Sequence, residues 1–176
     1  MNHGDYTYCP ICATPLVIRE MYNHPRPSCP ACGFVHFRDP KVAVIGLVAS
    51  GAHVLLIRRA VDPGKGKWAL PGGYMDAGEM PERALQREML EEVNLTIRVN
   101  SLAEIFPMAG QGGVNHGIVL AYLATPREEG LPPLVCRDDV DKAGWFTRDS
   151  IPTDLAFEST RALLAKWAAT KVSSQP

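Results

Sequence analysis

The sequence predicts an α+β protein, in which helices pack on the faces of a β-sheet, with a small additional unit at the N-terminus. Three observations support this fold class. Residues 41–50 are apolar and rich in Val and Ile, residues 81–93 have the composition of an amphipathic helix, and four cysteines occur in two closely spaced pairs near the N-terminus. Buried strands and amphipathic helices that alternate along one chain are typical of a sheet covered by helices.

The composition is that of a globular protein. The chain has 176 residues, of which 46% are hydrophobic and 21% are charged, so it can bury a sizeable core and is not disordered as a whole. Lysine and arginine number 18 and acidic residues 19, which gives a net charge of −1. This balance provides no basic surface for nonspecific contacts with nucleic acid or membranes, and we expect neither as a partner.

The termini carry no targeting segment that the sequence reveals. Residues 1–8 lack a basic stretch followed by an apolar one, which excludes a signal peptide. The longest apolar run, residues 42–49, is much shorter than the roughly 20 residues that span a bilayer. We therefore expect a cytoplasmic protein, although an earlier transit peptide is compatible with this sequence. The tail, residues 171–176, is expected to be disordered.

The cysteine pairs have the spacing of a four-thiolate metal site. Two Cys-x2-Cys motifs separated by sixteen residues are formed by Cys9, Cys12, Cys29 and Cys32. This spacing is typical of a structural zinc site, since four thiolates leave no open position for water or substrate. Two disulfides are the alternative, which a reducing compartment disfavours. We predict a zinc ribbon over residues 1–36, with a short hairpin between the motifs.

The main domain is predicted to start with two strands. Residues 41–50 have the pattern of a buried central strand, and residues 54–57 return as a second strand. Arg58 and Arg59 end that strand and could hold substrate phosphates as bidentate donors, or could equally be a solvated strand end. Trp68 could stack on a substrate ring, although packing is the more common role for such a residue.

A helix is predicted over residues 81–93, because strong helix formers follow Pro81 and an apolar stripe repeats at helical spacing. Glu88, Glu91 and Glu92 share the adjoining arc, where their like charges repel one another. Arg87 can offset part of this repulsion, and a divalent cation would offset more. A solvated acidic face is the alternative, which we would prefer for the glutamates alone.

The rest of the chain alternates strands and loops before a final helix. Strands are predicted over 95–103, with 104–106 as a continuation, and over 118–124 and 143–146, and a helix is predicted from 154 to about 170. The segment 107–117 contains four glycines and suits a long hairpin loop. His116 in this loop could contact a phosphate or transfer a proton, and a plain hairpin tip is the alternative.

The stretch from Gly73 to Leu95 resembles the Nudix box, Gly-x5-Glu-x7-Arg-Glu-U-x-Glu-Glu-x-Gly-U, in which U is aliphatic. The matching residues are Gly73, Glu79, Arg87, Glu88, Met89, Glu91, Glu92 and Leu95. Asn94 stands where the family has Gly, at a position after the helix that commonly needs the left-handed conformation, which Asn tolerates well. The resemblance implies a Nudix α/β/α sandwich over residues 37–170, which follows the zinc ribbon in the sequence.

Nudix enzymes hydrolyse a nucleoside diphosphate linked to another group, with Mg²⁺ or Mn²⁺. The resemblance implies that Glu88, Glu91 and Glu92, with the carbonyl of Gly72, hold the metal, and that Arg87 orients the glutamates. The family often takes one more carboxylate from an acidic segment after the box, for which Asp139 is the first choice and Asp138 the second. The general base stays open between Glu88 and a carboxylate such as Asp139.

The substrate expected from the resemblance is ADP-ribose or FAD. A ribbon of this spacing before a Nudix domain also resembles the NADH pyrophosphatases, but their Ser-Gln-Pro-Trp-Pro-Phe-Pro signature is lacking in residues 101–107. NADH pyrophosphatase is therefore the alternative. A non-catalytic nucleotide sensor that contacts a partner through its ribbon is a second alternative, disfavoured by the intact set of glutamates. Many Nudix enzymes form homodimers, and the resemblance allows one here.

Overall fold

The computed structural model describes residues 6–109 and 115–170. The chain divides between Pro40 and Lys41 into two compact units. Among the described residues, no helix combines the length and apolar character that crossing a membrane requires.

The first unit contains a two-stranded antiparallel hairpin, β1 (Val17–Met21) and β2 (His24–Ser28). Tyr22 and Asn23 connect the strands with φ angles of 53° and 61°. Positive φ at both central residues is the mark of the two-residue turn that matches the twist of a hairpin. The hairpin predicted between the two cysteine motifs is thus present.

The second unit is a six-stranded sheet with two α-helices. The strands are β3 (Lys41–Ser50), β4 (His53–Arg59), β5 (Trp68–Ala69), β6 (Ile97–Ala109), β7 (Asn115–Pro126) and β8 (Val140–Thr147). The helices are α1 (Pro81–Val93) and α2 (Glu158–Ala169), with a short 3₁₀ helix at Arg148–Ser150.

Strand β3 lies in the middle of the sheet, whose order is β5-β4-β3-β7-β6, with β8 paired to β4. It runs parallel to β7 from Lys41 to Val48 and antiparallel to the start of β4. Because an apolar core covers each face of the sheet at this strand, residues 41–50 form a continuous apolar run. The predicted bounds of this strand are confirmed.

Alternate residues of the central strands pack into two apolar cores, one on each face of the sheet. Val44 and Val48 of β3 pack into the core that includes Leu85, Met89 and Val93 of α1. Leu47 of β3 packs into the other core, to which α2 contributes its leucines. Because side chains alternate along a strand, one sheet supports a helix on each side. This arrangement is the predicted α/β/α sandwich.

Helix α1 begins and ends as its sequence dictates. Pro81 occupies the first helical position, where its missing N–H costs no hydrogen bond. Asn94 ends the helix with φ 55° and ψ 38°, and its N–H donates to the carbonyl of Leu90. Asn therefore adopts the left-handed conformation for which the family uses glycine, as predicted.

Several predicted bounds are wrong. Strand β6 covers Ile97–Ala109, β7 covers Asn115–Pro126 and β8 covers Val140–Thr147, because β6 and β7 pair with each other and β8 pairs with β4 along these lengths. Helix α2 begins at Glu158 rather than at residue 154. The preceding segment is extended instead, since the Trp68 N–H donates to the Asp154 carbonyl and the Ala156 N–H donates to the Trp68 carbonyl.

Candidate active site

The loop before α1 lies directly against two glutamates of the helix. The Gly72 N–H donates to Oε2 of Glu92 at 3.0 Å, and Gly72 has φ +141°. A Cβ placed on Gly72 would lie 2.1 Å from the backbone carbonyl oxygen of Val44, and one placed on Gly73 would lie 2.5 Å from Oε1 of Glu88 and would displace that carboxylate. These two glycines are therefore required for the backbone to reach the carboxylates.

The three glutamates differ in their surroundings. Glu92 is 2% exposed, the side chain of Glu88 is 13% exposed, and that of Glu91 is 47% exposed. Glu92 has no ion pair within the described part of the chain, and its carboxylate accepts a hydrogen bond from the Gly72 N–H. A buried carboxylate without a cationic partner is costly, and it is the type of group that binds a metal ion.

Arg87 organises the other carboxylates around one guanidinium group. Its Nε and Nη2 donate to Glu79 at 3.1 and 2.9 Å, and its Nη1 donates to Glu88 at 2.8 Å and to Glu91 at 2.9 Å. Nη2 also donates to the Tyr74 carbonyl at 3.0 Å. A guanidinium has five N–H donors, so every donor of Arg87 has an acceptor.

The site shifts the pKa values of its acids in opposite directions. Burial raises the pKa of Glu92 well above its ordinary value, against the hydrogen bond from Gly72, and the charges of Asp139 and Glu88 add to the increase. Burial also raises the pKa of Glu88, whereas the hydrogen bond from Arg87 lowers the pKa of Glu79. Such a concentration of perturbed carboxylates is typical of a functional site.

Asp139 belongs to the same electrostatic cluster, although it is 47 positions from Glu92 in the sequence. The segment before it is attached to α1, because the Arg137 N–H donates to the Glu92 carbonyl at 2.9 Å. Asp138 has φ +53° and is exposed, and the chain turns there so that Asp139 lies 3.8 Å from Nη2 of Arg59. Of the two aspartates considered as an additional carboxylate of the site, Asp139, the first choice, is the one that belongs to this cluster.

Of the two arginines at the end of β4, Arg59 is the one near the carboxylates. Its charge lowers the pKa of Glu92, and its guanidinium lies 5.4 Å from the ring centre of Phe157. Arg58 instead donates to both oxygens of Asp141 at 2.8 Å. The Asp141 carboxylate therefore occupies the two guanidinium donors, Nε and Nη2, that could bind a phosphate. Substrate contact for both arginines stays a prediction.

Of the other two predicted substrate-binding residues, Trp68 has packing contacts and the side chain of His116 is not described. Trp68 packs edge-on against Phe146, with ring centres 4.9 Å apart, next to the core under α2. These contacts are the ones expected if Trp68 packs in the core. His116 lies in β7, and its side chain falls outside the described part of the structure.

Tyr74, which lies immediately after the glycine pair, is not among the residues predicted for the site. Its side chain is 55% exposed, its hydroxyl donates to Sδ of Met108 at 3.7 Å, and Nζ of Lys41 lies 5.1 Å from its ring centre. Its carbonyl accepts a hydrogen bond from Arg87, so the backbone of Tyr74 borders the carboxylate cluster. An exposed aromatic ring at this place can stack on a planar ligand. The sequence signal that could have identified Tyr74 is its position directly after Gly73.

The four cysteines of the first unit converge on one point. Their Sγ atoms all lie within 4.8 Å of one another, and none forms a disulfide. The Ile11 N–H donates to Sγ of Cys9 and the Cys32 N–H donates to Sγ of Cys29, as in paired metal-binding turns. Hydrogen bonds with Thr14 lower the pKa of Cys12 to about 6, which favours the thiolate. The cluster fits a tetrahedral metal ion.

Comparison with known proteins agrees with this geometry. The model of the NUDIX domain family matches residues 38–167. The ADP-ribose pyrophosphatase of Methanocaldococcus jannaschii is 32% identical over 127 residues, which cover 72% of this chain and 73% of that protein. The NAD-capped RNA hydrolase NudC of Chromobacterium violaceum is 29% identical over 149 residues, and the match spans about half of its length, 52%.

A solved structure extends the similarity to the whole chain. The crystal structure of a NUDIX hydrolase from Nitrosomonas europaea superposes with a TM-score of 0.84 at 26% identity and covers 97% of this chain and 95% of that one.

Proposed function

This chain belongs to the Nudix family, and we propose that it is a Mg²⁺-dependent pyrophosphatase. It hydrolyses the diphosphate bond of a nucleoside diphosphate linked to another group, with ADP-ribose or FAD as the substrate and AMP as a product. The observation that carries this proposal is the carboxylate of Glu92, which is buried beside the Gly72 backbone without an ion pair in the described residues.

The metal-binding role is assigned to the carboxylates that surround Glu92. Glu88, Glu91 and Glu92, together with the carbonyl of Gly72, would hold Mg²⁺ or Mn²⁺, which prefer oxygen ligands. When bound, the metal supplies electrostatic stabilisation of the diphosphate oxygens and acidifies water. The raised pKa values of Glu88 and Glu92 fit this assignment, because a divalent cation offsets the cost of two buried negative charges.

The chain's own residues would then position and deprotonate the attacking water. Water oxygen attacks phosphorus, the bond from phosphorus to the bridging oxygen breaks, and the water proton passes to a carboxylate. Glu88 and Asp139 are the two candidates for this base, since both belong to the acidic cluster around Glu92. Arg87 positions Glu88 and Glu91 through its hydrogen bonds. Arg59, next to Asp139, is the better placed of the two predicted phosphate-binding arginines.

ADP-ribose is favoured by the M. jannaschii relative, which is named an ADP-ribose pyrophosphatase. The alternative substrate, NADH, is favoured by other relatives, among them the NAD(P)H pyrophosphatase NUDT13 of mouse, which is 29% identical. Against NADH, residues 101–107 lack the signature of that group and form part of β6. We keep ADP-ribose or FAD as the first proposal.

Zinc is proposed as the ion of the cysteine cluster, in a structural role, because four thiolates complete its coordination. The division into a zinc ribbon over 1–36 and a Nudix domain over 37–170 is proposed with it. A cytoplasmic location and a homodimer are also proposals.

The test is Mg²⁺-dependent hydrolysis of ADP-ribose, FAD, NADH, a dinucleoside polyphosphate and a nucleoside triphosphate, with products separated by chromatography. We expect AMP from ADP-ribose or FAD. Glu92→Gln should lower kcat at least about 100-fold because it removes a metal ligand and leaves the fold intact. Glu158→Gln, an exposed glutamate of α2, is the matched control and should change kcat less than about twofold.

Two results would contradict the proposal. Glu92→Gln activity within a few-fold of the wild type would show that the metal-binding assignment is wrong. An inactive wild type that binds one of these nucleotides tightly, only with Mg²⁺, would indicate the nucleotide sensor instead.

A further inference from the structure

A groove runs along the face of α1 that turns away from the sheet. Its volume is about 510 Å³, and it lies between α1 and the ends of β6 and β7. Arg83, Gln86 and Leu90 line it from the helix, and Thr96 and Arg127 line it from the other side. We call this cavity the Arg83–Arg127 groove. The proposed function assigns no role to it.

Two guanidinium groups in this groove have spare donors. Arg83 donates to Oε1 of Gln86 at 3.4 Å, and Nε of Arg127 donates to the Ile97 carbonyl at 3.3 Å. Both bonds are long, and both use one donor of five. Neither arginine has an ion pair within the described stretches of the chain. Two positive charges from different elements therefore face one cavity without a bound acid.

Arg87 also borders the groove, but it is not available to a ligand there. All five of its donors have acceptors, and three carboxylates surround its charge. Arg87 thus separates the groove from the metal-binding face and holds Glu91, an exposed acid of the helix, in an ion pair. An anion in the groove would bind Arg83 and Arg127 without displacing the proposed catalytic contacts.

The remaining lining favours an anion that carries an organic group. Leu90 is 46% exposed and Ile97 lies at the base, so the groove offers apolar surface beside the arginines. Thr96 and Gln86 add polar side chains. The volume lies in the range of small-molecule sites, larger than an inorganic phosphate requires. Guanidinium pairs bind phosphate oxygens through charge-assisted hydrogen bonds.

We propose that the Arg83–Arg127 groove is a second binding site, for a phosphomonoester such as a nucleoside monophosphate. The phosphate lies between Arg83 and Arg127, and the organic group covers Leu90. This site is separate from the proposed catalytic carboxylates and does not depend on hydrolysis.

The experiment is isothermal titration calorimetry of the full chain with AMP and with inorganic phosphate, without added divalent metal. Under this condition the carboxylates around Arg87 repel anions, so binding reports the groove. The double variant Arg83→Gln, Arg127→Gln should bind AMP at least about tenfold more weakly, since two charge-assisted contacts are lost. Its Mg²⁺-dependent hydrolysis rate should stay within about twofold of the wild type.

The matched control removes two exposed arginines outside the groove, Arg19→Gln and Arg98→Gln. It has the same net charge and should bind AMP within about twofold of the wild type. Equal losses in both double variants, no loss in the groove variant, or no AMP binding by the wild type would overturn the proposal. Phosphate that binds as tightly as AMP would overturn the role of Leu90. If the double variant does not fold, each single groove variant should still weaken AMP binding several-fold.

Discussion

At the scale of single residues, two glycines, which have no side chain, are as important to the site as its carboxylates. Gly72 and Gly73 bring the backbone to Glu92 and Glu88; a side chain at Gly72 would collide with the Val44 carbonyl, and one at Gly73 would displace the Glu88 carboxylate. The next residue, Tyr74, carries an exposed ring. One three-residue segment therefore provides both access to the carboxylates and a surface for a planar ligand.

The exposed ring gives the first prediction at this scale. Tyr74→Ala should raise the KM for the best substrate roughly tenfold and change kcat by less than about threefold, because base stacking is worth roughly 1–3 kcal/mol. Steady-state kinetics with ADP-ribose and FAD measure both constants. Tyr22→Ala, which removes an exposed ring from the first unit, is the matched control. An unchanged KM for Tyr74→Ala would exclude stacking on this ring.

The second prediction concerns Arg58 and Asp141. Hydrogen bonds from Arg58 lower the pKa of Asp141, so the pair stabilises the fold when the carboxylate is ionised. This stabilisation is complete above the unfolded-state pKa of about 3.9 and disappears as the pH falls through the lower folded-state pKa. Asp141→Asn should thus lower Tm at pH 7 and leave it unchanged near pH 2.

The control for this pH dependence is Asp149→Asn, an exposed aspartate without an ion pair in the described residues. It should shift Tm little at either pH. Both side chains of the Arg58–Asp141 pair are partly exposed, so a small effect is expected at pH 7. A Tm difference for Asp141→Asn that persists at pH 2 would contradict the role of the ion pair.

At the scale of elements, α1 presents three faces with different roles. Leu85, Met89 and Val93 are completely buried in the core. The adjoining face carries the glutamates, and the outward face lines the Arg83–Arg127 groove. Because 3.6 residues complete one turn, thirteen residues are enough for three turns of each face. Packing of the apolar face fixes the rotation of the helix and therefore the direction of the glutamates.

This division predicts different costs for two leucines of the helix. Leu85→Ala should reduce the free energy of unfolding by about 2–5 kcal/mol, because it leaves a cavity in a fully packed core. Leu90→Ala should reduce it by less than about 1 kcal/mol, since Leu90 is half exposed. Chemical denaturation followed by circular dichroism measures both. Equal costs would show that the helix has a different rotation.

At the scale of the whole molecule, the chain combines two units with different sources of stability. The second unit has two apolar cores, whereas the first has a short hairpin and four convergent thiols. A unit of about forty residues rarely buries enough apolar surface to fold without a metal or a cross-link. The metal ion should therefore supply the folding free energy of the first unit.

Metal removal tests this difference. A chelator that removes zinc should abolish hydrogen-exchange protection in residues 6–40 and leave it in the strands and helices of residues 41–170. Hydrogen exchange with mass spectrometry resolves the two regions, and re-addition of Zn²⁺ should restore protection. Loss of protection throughout the chain would contradict independent stability of the second unit.

The sequence by itself determined those structural features that depend on local periodicity or on the fixed spacing of a motif. It predicted the bounds of α1 and β3, the left-handed Asn94 and the four-cysteine cluster, because each follows from neighbouring residues or from a motif. The strand and helix bounds that it missed, in β6, β7, β8 and α2, depend on pairing with other segments of the chain.

Only the tertiary structure decided which distant side chains meet. It gives Arg58 the partner Asp141 and packs Trp68 against Phe146, and it brings the charge of Asp139, which the family resemblance had already named, to act on Glu92. It also leaves Tyr74 exposed, with its backbone carbonyl bonded to Arg87. The physical reason is that a residue's type fixes which contacts it can make, whereas the register of the sheet fixes which contacts it does make.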